Sequence, residues 1–183
     1  MSRSARPGTR EEILDAASRL FAATGFKGTS LQDIASAVGC SKAALLYHFD
    51  GKDAILGELL APAVEAFRDL DARLAALGDE AVRSAAVEGY VDLVLRFRRE
   101  VTVLYGDIPE LLQRPAFAGV HELIERLKDA LAGRSRTPQA HAAALLVLGG
   151  VPIACMEQLD LRDDELRALL AGSAVRALDL PGA

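Results

Sequence analysis

Gly28-Thr29-Ser30-Leu31-Gln32-Asp33-Ile34-Ala35-Ser36-Ala37-Val38-Gly39-Cys40-Ser41-Lys42-Ala43-Ala44-Leu45-Leu46-Tyr47-His48-Phe49 holds two helix starts and two helix stops in one short run. Ser30 and Asp33 stand at capping-box spacing, at which hydroxyl and carboxylate each satisfy the other residue's backbone N–H. Leu31, Ile34, Ala35 and Val38 then recur at helical spacing, and Gly39 supplies a residue free to adopt the left-handed conformation that ends a helix. Ser41 caps the next segment, in which Leu45 and Phe49 form an i,i+4 apolar pair before Asp50 and Gly51 close it. Two short helices separated only by Gly39, Cys40 and Ser41 have the proportions of a helix-turn-helix.

Working outward toward the N-terminus, residues 1–9 are rich in Ser, Arg, Pro and Gly. Ile13, Leu14, Ala17, Leu20 and Phe21 then recur opposite Glu11, Glu12 and Arg19, which predicts a first helix ending near Gly25. Three short helices so arranged hold the third steeply against the second, so that its N-terminal half can enter a DNA major groove. Ile34, Val38, Leu45 and Phe49 are assigned to the small core behind it.

The quoted run, followed by Lys52, resembles the DNA-binding head of TetR-family transcriptional repressors. The resemblance is closest over residues 10–60, and the rest of the chain matches mainly in length and helical rhythm. By that resemblance Lys42, Ala43, Tyr47 and His48 face DNA, with Thr29 and Lys52 near phosphates. The chemistry suits these places. Lys42 can donate to phosphate or to guanine acceptors, Tyr47 can reach a phosphate through its hydroxyl, and small Ala43 permits close approach to the groove. Arg3 and Arg6 are expected to reach a neighbouring groove as an N-terminal arm. The chain departs from the family in having Ala43 where Gly is frequent, and Leu46 where a common variant has an aromatic residue, so base-by-base specificity does not carry over.

Downstream, Ile55, Leu56, Leu59, Leu60, Val64, Phe67 and Leu70 predict a fourth helix, which Pro62 should kink or divide. Val82, Ala86, Tyr90, Leu93, Val94 and Phe97 fit a fifth, followed by a shorter one from Glu100 to Gly106. Phe117, Val120, Leu123, Ile124, Leu127 and Leu131 make another, closed by Gly133. Two more span roughly residues 139–157 and 163–178. The expected fold is all-α: a helix-turn-helix three-helix head at residues 1–52, followed by a larger helical domain at 53–183 for effector binding and dimerisation.

Composition agrees with that class. Of 183 residues 51% are hydrophobic and only 5% aromatic, with no Trp, so the apolar share rests on helix-favouring Ala and Leu. The net charge of -5 argues at first against nucleic acid, but residues 1–52 hold 7 Lys and Arg against 5 Asp and Glu, whereas the remainder holds 14 against 21. The acidity belongs to the body. Cys40 and Cys155 lie too far apart in sequence for a Cys-X-X-Cys motif and suggest a reducing cytoplasm. Neither an export leader nor a membrane span is expected, since the apolar stretch 140–156 falls short of a normal span and reads as a buried helix.

No His-Glu-X-X-His, Gly-rich phosphate loop, nucleophile motif or paired Glu-X-X-His occurs, so neither an enzyme nor a bound metal or cofactor is expected. A single short reader has limited contact area. A symmetric homodimer with two readers about one DNA turn apart, on palindromic double-stranded DNA, would supply the affinity. Residues 139–157 carry little charge, and Ala142, Ala143, Ala144, Gly149 and Gly150 permit close helix approach, so the last two helices are the expected interface. The resemblance implies the same four-helix contact. An effector cavity is expected among the other helices, with Tyr90, Phe97, Tyr105, Phe117, His121, His141, Cys155 and Met156 as candidate lining residues for an apolar or amphipathic small molecule. The expected function is a ligand-responsive repressor. A constitutive repressor or a ligand-dependent activator on the same fold stands as the alternative, and a protein-interaction module with a repurposed head as a further one.

Overall fold

The Ser30–Asp33 cap forms as its spacing predicts. In the computed structural model, which describes residues 9–105, 117–157 and 160–179, with backbone only at 104 and 105, the Asp33 N–H donates to Ser30 Oγ at 3.1 Å and the Ser30 N–H donates to Asp33 Oδ2 at 2.8 Å. These bonds open α2, Leu31–Val38, which Gly39 closes in the left-handed region at φ 75° and ψ 28°. Ser41 Oγ accepts from the Ala44 N–H at 3.1 Å and opens α3, Lys42–His48. Helices this short are not stable alone. They persist because Ile34, Ala35, Leu45 and Phe49 are buried with Ile13, Ala17 and Phe21 of α1, Thr9–Gly28. Each large apolar side chain so buried contributes about 1.5–3 kcal/mol.

At the predicted stop α1 leaves the helical conformation, and residues 26–28 follow across a kink at Gly25. Its φ of 76° and ψ of 163° lie where only glycine sits without strain. Past the bend Phe26 turns inward, its ring centroid 5.2 Å from that of Phe21. α4, Lys52–Ala75, continues through Pro62 as one helix, so the proline removes one ladder bond but starts no new element. The described residues divide between two compact units, the first within 1–62 and 102–118, the second within 63–101 and 119–183. α4 passes from one to the other at Pro62.

The second unit holds the rest of α4, then α5 at Asp79–Arg96, α7 at Val120–Leu131, α8 at Pro138–Met156 and α9 at Asp163–Leu178. The short α6, Arg98–Tyr105, lies between α5 and residue 106, which begins the segment outside the described residues. Among the described residues every regular element is a helix. α5 packs against α7, α8 and α9, with Val87, Val91 and Val94 facing Leu127, Val147, Val151, Leu166 and Leu170 in one core. Asp71 of α4 accepts from Arg126 Nε at 2.8 Å, and Asp92 of α5 from Arg167 Nε at 2.5 Å. Exposed pairs of this kind are screened by solvent, so they orient helices that the core holds.

Phe117 was placed in the helix that became α7, but Gly119, at φ 84°, starts that helix later and leaves Phe117 in the preceding turn, buried. α8 was read as a buried helix too short for a span. At 19 residues it is long and apolar enough to cross a membrane by length and composition, and only one side of it is buried. Ala144, Val147, Val151 and Cys155 enter the core, whereas Leu145, Leu146 and Ile153 are exposed, Leu146 by 70%. Periodicity could not divide these faces, because nearly every residue of α8 is apolar.

Candidate nucleic-acid interface

α3 presents two different sides. Leu45 is fully buried and Phe49, which caps the helix, is buried with it; these residues clamp α3 to α1 and α2. Lys42, Ala43, Ala44, Leu46 and Tyr47 all face outward, and Tyr47 is 83% exposed. His48 is half-buried, its ring edge-on to Tyr47 with centroids 5.5 Å apart. The helix carries no acidic residue, and its capped N-terminus adds the positive end of the helix dipole. On α2, the Ser30 hydroxyl and then the Ser30 N–H hold the exposed Asp33 carboxyl below the usual carboxylate range.

Behind this surface the chain is tied at its corner. Thr29, expected near phosphates, is only 2% exposed: its Oγ1 donates to Gly25 O at 2.9 Å and lies 2.9 Å from Thr24 Oγ1. The Lys52 ammonium donates to Phe26 O at 2.5 Å and Thr29 O at 2.7 Å, and stands 4.3 Å from the centroid of the Phe26 ring. At the other end of α1, the Arg10 guanidinium lies 4.7 Å over Phe49 and pairs with Glu58. The start of α4 is therefore held to both ends of α1. The Arg10 ties were not read from sequence, because their partners are 39 and 48 residues away and no local pattern signals them. Leu46, a departure from the family pattern, stands three residues after Ala43, which puts both on one face. Arg3 and Arg6 lie outside the described residues.

The candidate ligand residues stand in several settings. Tyr90 and Cys155 share the second unit's core, where the Tyr90 hydroxyl donates to Leu148 O at 2.7 Å and Cys155 Sγ accepts from Arg98 Nε at 3.2 Å. Phe97 is buried at the end of α5 under the Arg96 guanidinium, and Met156 is half-buried at the end of α8. His121 is exposed on α7. His141 of α8 is half-buried, with Nε2 enclosed and lacking a hydrogen-bond partner. Phe117 belongs to the first unit, and the Tyr105 side chain lies outside the described residues. Among the described residues no group of three His, Cys, Asp or Glu side chains is placed to hold a metal ion.

The head and the full chain both have relatives. Residues 13–59 match the family model for bacterial regulatory proteins, tetR family. The chain is 27% identical over 130 residues to the HTH-type transcriptional repressor KstR2 of Rhodococcus jostii (strain RHA1), a span of 69% of this chain and 63% of that protein. Over 46 residues it is 48% identical to IcaR, the biofilm operon icaADBC HTH-type negative transcriptional regulator of Staphylococcus aureus (strain Newman), a span of 25% of each. These matches thus cover less than two thirds of either relative. The crystal structure of Mycobacterium smegmatis AmtR, 28% identical, aligns over 99% of this chain and 92% of its own with a TM-score of 0.69. The capped helix-turn-helix within residues 13–59 is thus that of the tetR family of bacterial regulatory proteins, and the helical body beyond it is similar to that of AmtR.

Proposed function

We propose that the protein is a DNA-binding transcriptional repressor, not an enzyme, acting as a homodimer on a palindromic operator and released by an apolar or amphipathic small molecule. The observation that carries the DNA-binding part is the outward side of α3, where Lys42, Ala43 and Tyr47 are free of the core while Leu45 and Phe49 hold the helix rigid. Lys42 and Tyr47 supply phosphate or base-edge contacts, Ala43 gives close approach, and His48 braces Tyr47. Thr29 and Lys52 serve the same surface from behind, by fixing the corner before α2 to the start of α4. Arg3 and Arg6 extend the contact as an arm. The repressing sign is supported by the two relatives, one a repressor and the other a negative regulator by description.

The homodimer is supported by the uncovered apolar side of α8 and α9. Leu145, Leu146 and Ile153 on α8 and Leu169 and Val175 on α9 are exposed together with Gly150, where an added Cβ would meet nothing within 4 Å. An apolar face of this kind is a protein contact by preference. Pairing α8 and α9 with their copies gives a four-helix interface. The ligand is read into the body of residues 53–183, around the apolar surroundings of Tyr90 and Cys155. A ligand there acts through α4, the helix that enters the head at Lys52.

Selection of duplexes from random DNA by the full chain tests this reading. It should return inverted half-sites about one helical turn apart. Lys42→Ala should lower the slope of log affinity against log salt by about 0.9 per half-site. Recovery of no preferred sequence would remove the DNA-binding reading. Equal operator affinity with and without each small molecule that binds the protein would leave a constitutive repressor, and tighter binding with ligand a ligand-dependent one.

A further inference from the structure

Leu46 stands on α3 at 45% exposure, beside the residues proposed to read DNA. It cannot share the covered side of Leu45, because successive helical residues are turned by about 100°. Its surface neighbours are Ala43, three residues before it, and Lys42, four before it, both exposed. A helical side chain leans over the turn that precedes it, so Leu46 leans toward those two positions. The lone methyl group of Ala43 leaves room there, and the result is an apolar spot flanked by the Lys42 ammonium and the Tyr47 phenol.

Single exposed leucines are ordinary and carry no meaning by themselves. This one lies on a helix without acidic residues, between a capped N-terminus and the most exposed aromatic side chain of the head. In a major groove the base edges are hydrogen-bond donors and acceptors, with one apolar exception, the C5 methyl group of thymine. A leucine pressed on a donor or acceptor desolvates it without replacing its hydrogen bond, which is costly. A leucine pressed on a methyl group buries apolar surface on both sides.

We infer that Leu46, with Ala43 beside it, is a specificity-determining contact to a thymine methyl group in each operator half-site. The inference rests on the reading that α3 enters the major groove, and adds what one of its side chains selects there. An apolar reader of this kind prefers thymine over all other bases at one position, without taking part in the phosphate contacts that set the salt dependence.

The test uses the selected operator with each thymine replaced in turn by deoxyuridine, which removes the C5 methyl group and leaves the pairing edge intact. Affinities of the full-length protein are measured by fluorescence anisotropy at one fixed salt concentration. The wild type should lose about fourfold per half-site at one thymine position, the worth of burying one methyl group. Leu46→Ala should bind the thymine and uracil duplexes alike at that position, with an unchanged salt slope and thermal melt, since the side chain is exposed. Leu46→Met should restore the preference. A flat uracil scan for the wild type overturns the inference, as does a Leu46→Ala variant that keeps the full thymine preference. Either result, obtained with salt-dependent and sequence-selective binding intact, leaves the DNA-binding reading standing. Absence of any preferred sequence overturns both.

Discussion

Lys52 shows how one side chain can be claimed by two roles. Its ammonium has its donors on Phe26 O and Thr29 O and its charge over the Phe26 ring, so within the head it ties the start of α4 to the corner before α2. Hydrogen bonds from a charged donor contribute about 1.5–3 kcal/mol when sheltered, and the half-buried setting of Lys52 lowers this to about 1–2 kcal/mol. Lys52→Met should therefore lower stability by about that amount in urea denaturation, while the salt slope of DNA binding stays near that of the wild type. A slope lowered as much as by Lys42→Ala would instead assign the ammonium to phosphate. Asp33 gives a residue-scale prediction in pH. Its hydrogen bonds from Ser30 hold the folded-state carboxyl below its unfolded value of about 3.9. The stabilisation is then complete above the unfolded value and disappears as pH falls through the folded one. Asp33→Asn should narrow the difference between urea midpoints at pH 7 and pH 3, and Ser30→Ala should cost about 1 kcal/mol at neutral pH through the lost cap.

At the scale of the element, α1 and α8 show what periodicity can and cannot tell. Gly25 reads as a breaker from its residue type, and in the structure its positive φ interrupts the helix there, with residues 26–28 following across the kink. Gly25→Ala forces a side chain into that conformation and should cost about 1–3 kcal/mol, read as a lower urea midpoint with the helical circular dichroism signal retained in water. The caps of α2 and α3 were legible because their partners are three residues apart. In α8 the apolar character was legible but its two sides were not, since a helix that is apolar all round has no periodicity from which to choose the covered side. The start of α7 was misplaced for a related reason: Phe117 fits the apolar spacing, and only the left-handed backbone at Gly119 separates it from the helix.

For the whole molecule, the uncovered side of α8 and α9 carries the prediction. Leu146→Glu places a charge at the most exposed of these apolar positions, and sedimentation at micromolar concentration should show a monomer that melts cooperatively. Operator affinity should fall with it, because the two half-sites are then bound independently. A variant with unchanged sedimentation would place the dimer contact elsewhere. The candidate ligand residues illustrate the opposite limit of a sequence reading. Residue type singles out aromatic, His, Cys and Met residues, and the fold gives them unlike settings: Tyr90 and Cys155 enter one core, while His121 faces solvent.

The sequence by itself determined the helical class, the three-helix head, its caps and the set of residues on α3, because each depends on interactions within about four residues of helix. Its split of charge also separated a slightly basic head from an acidic body. The tertiary structure alone decided that Lys52 and Arg10 hold α4 to α1, and which side of α8 is covered. Those outcomes rest on partners 23 to 48 residues distant in the chain, or on neighbouring helices, and burial assigns them only once the helices have packed.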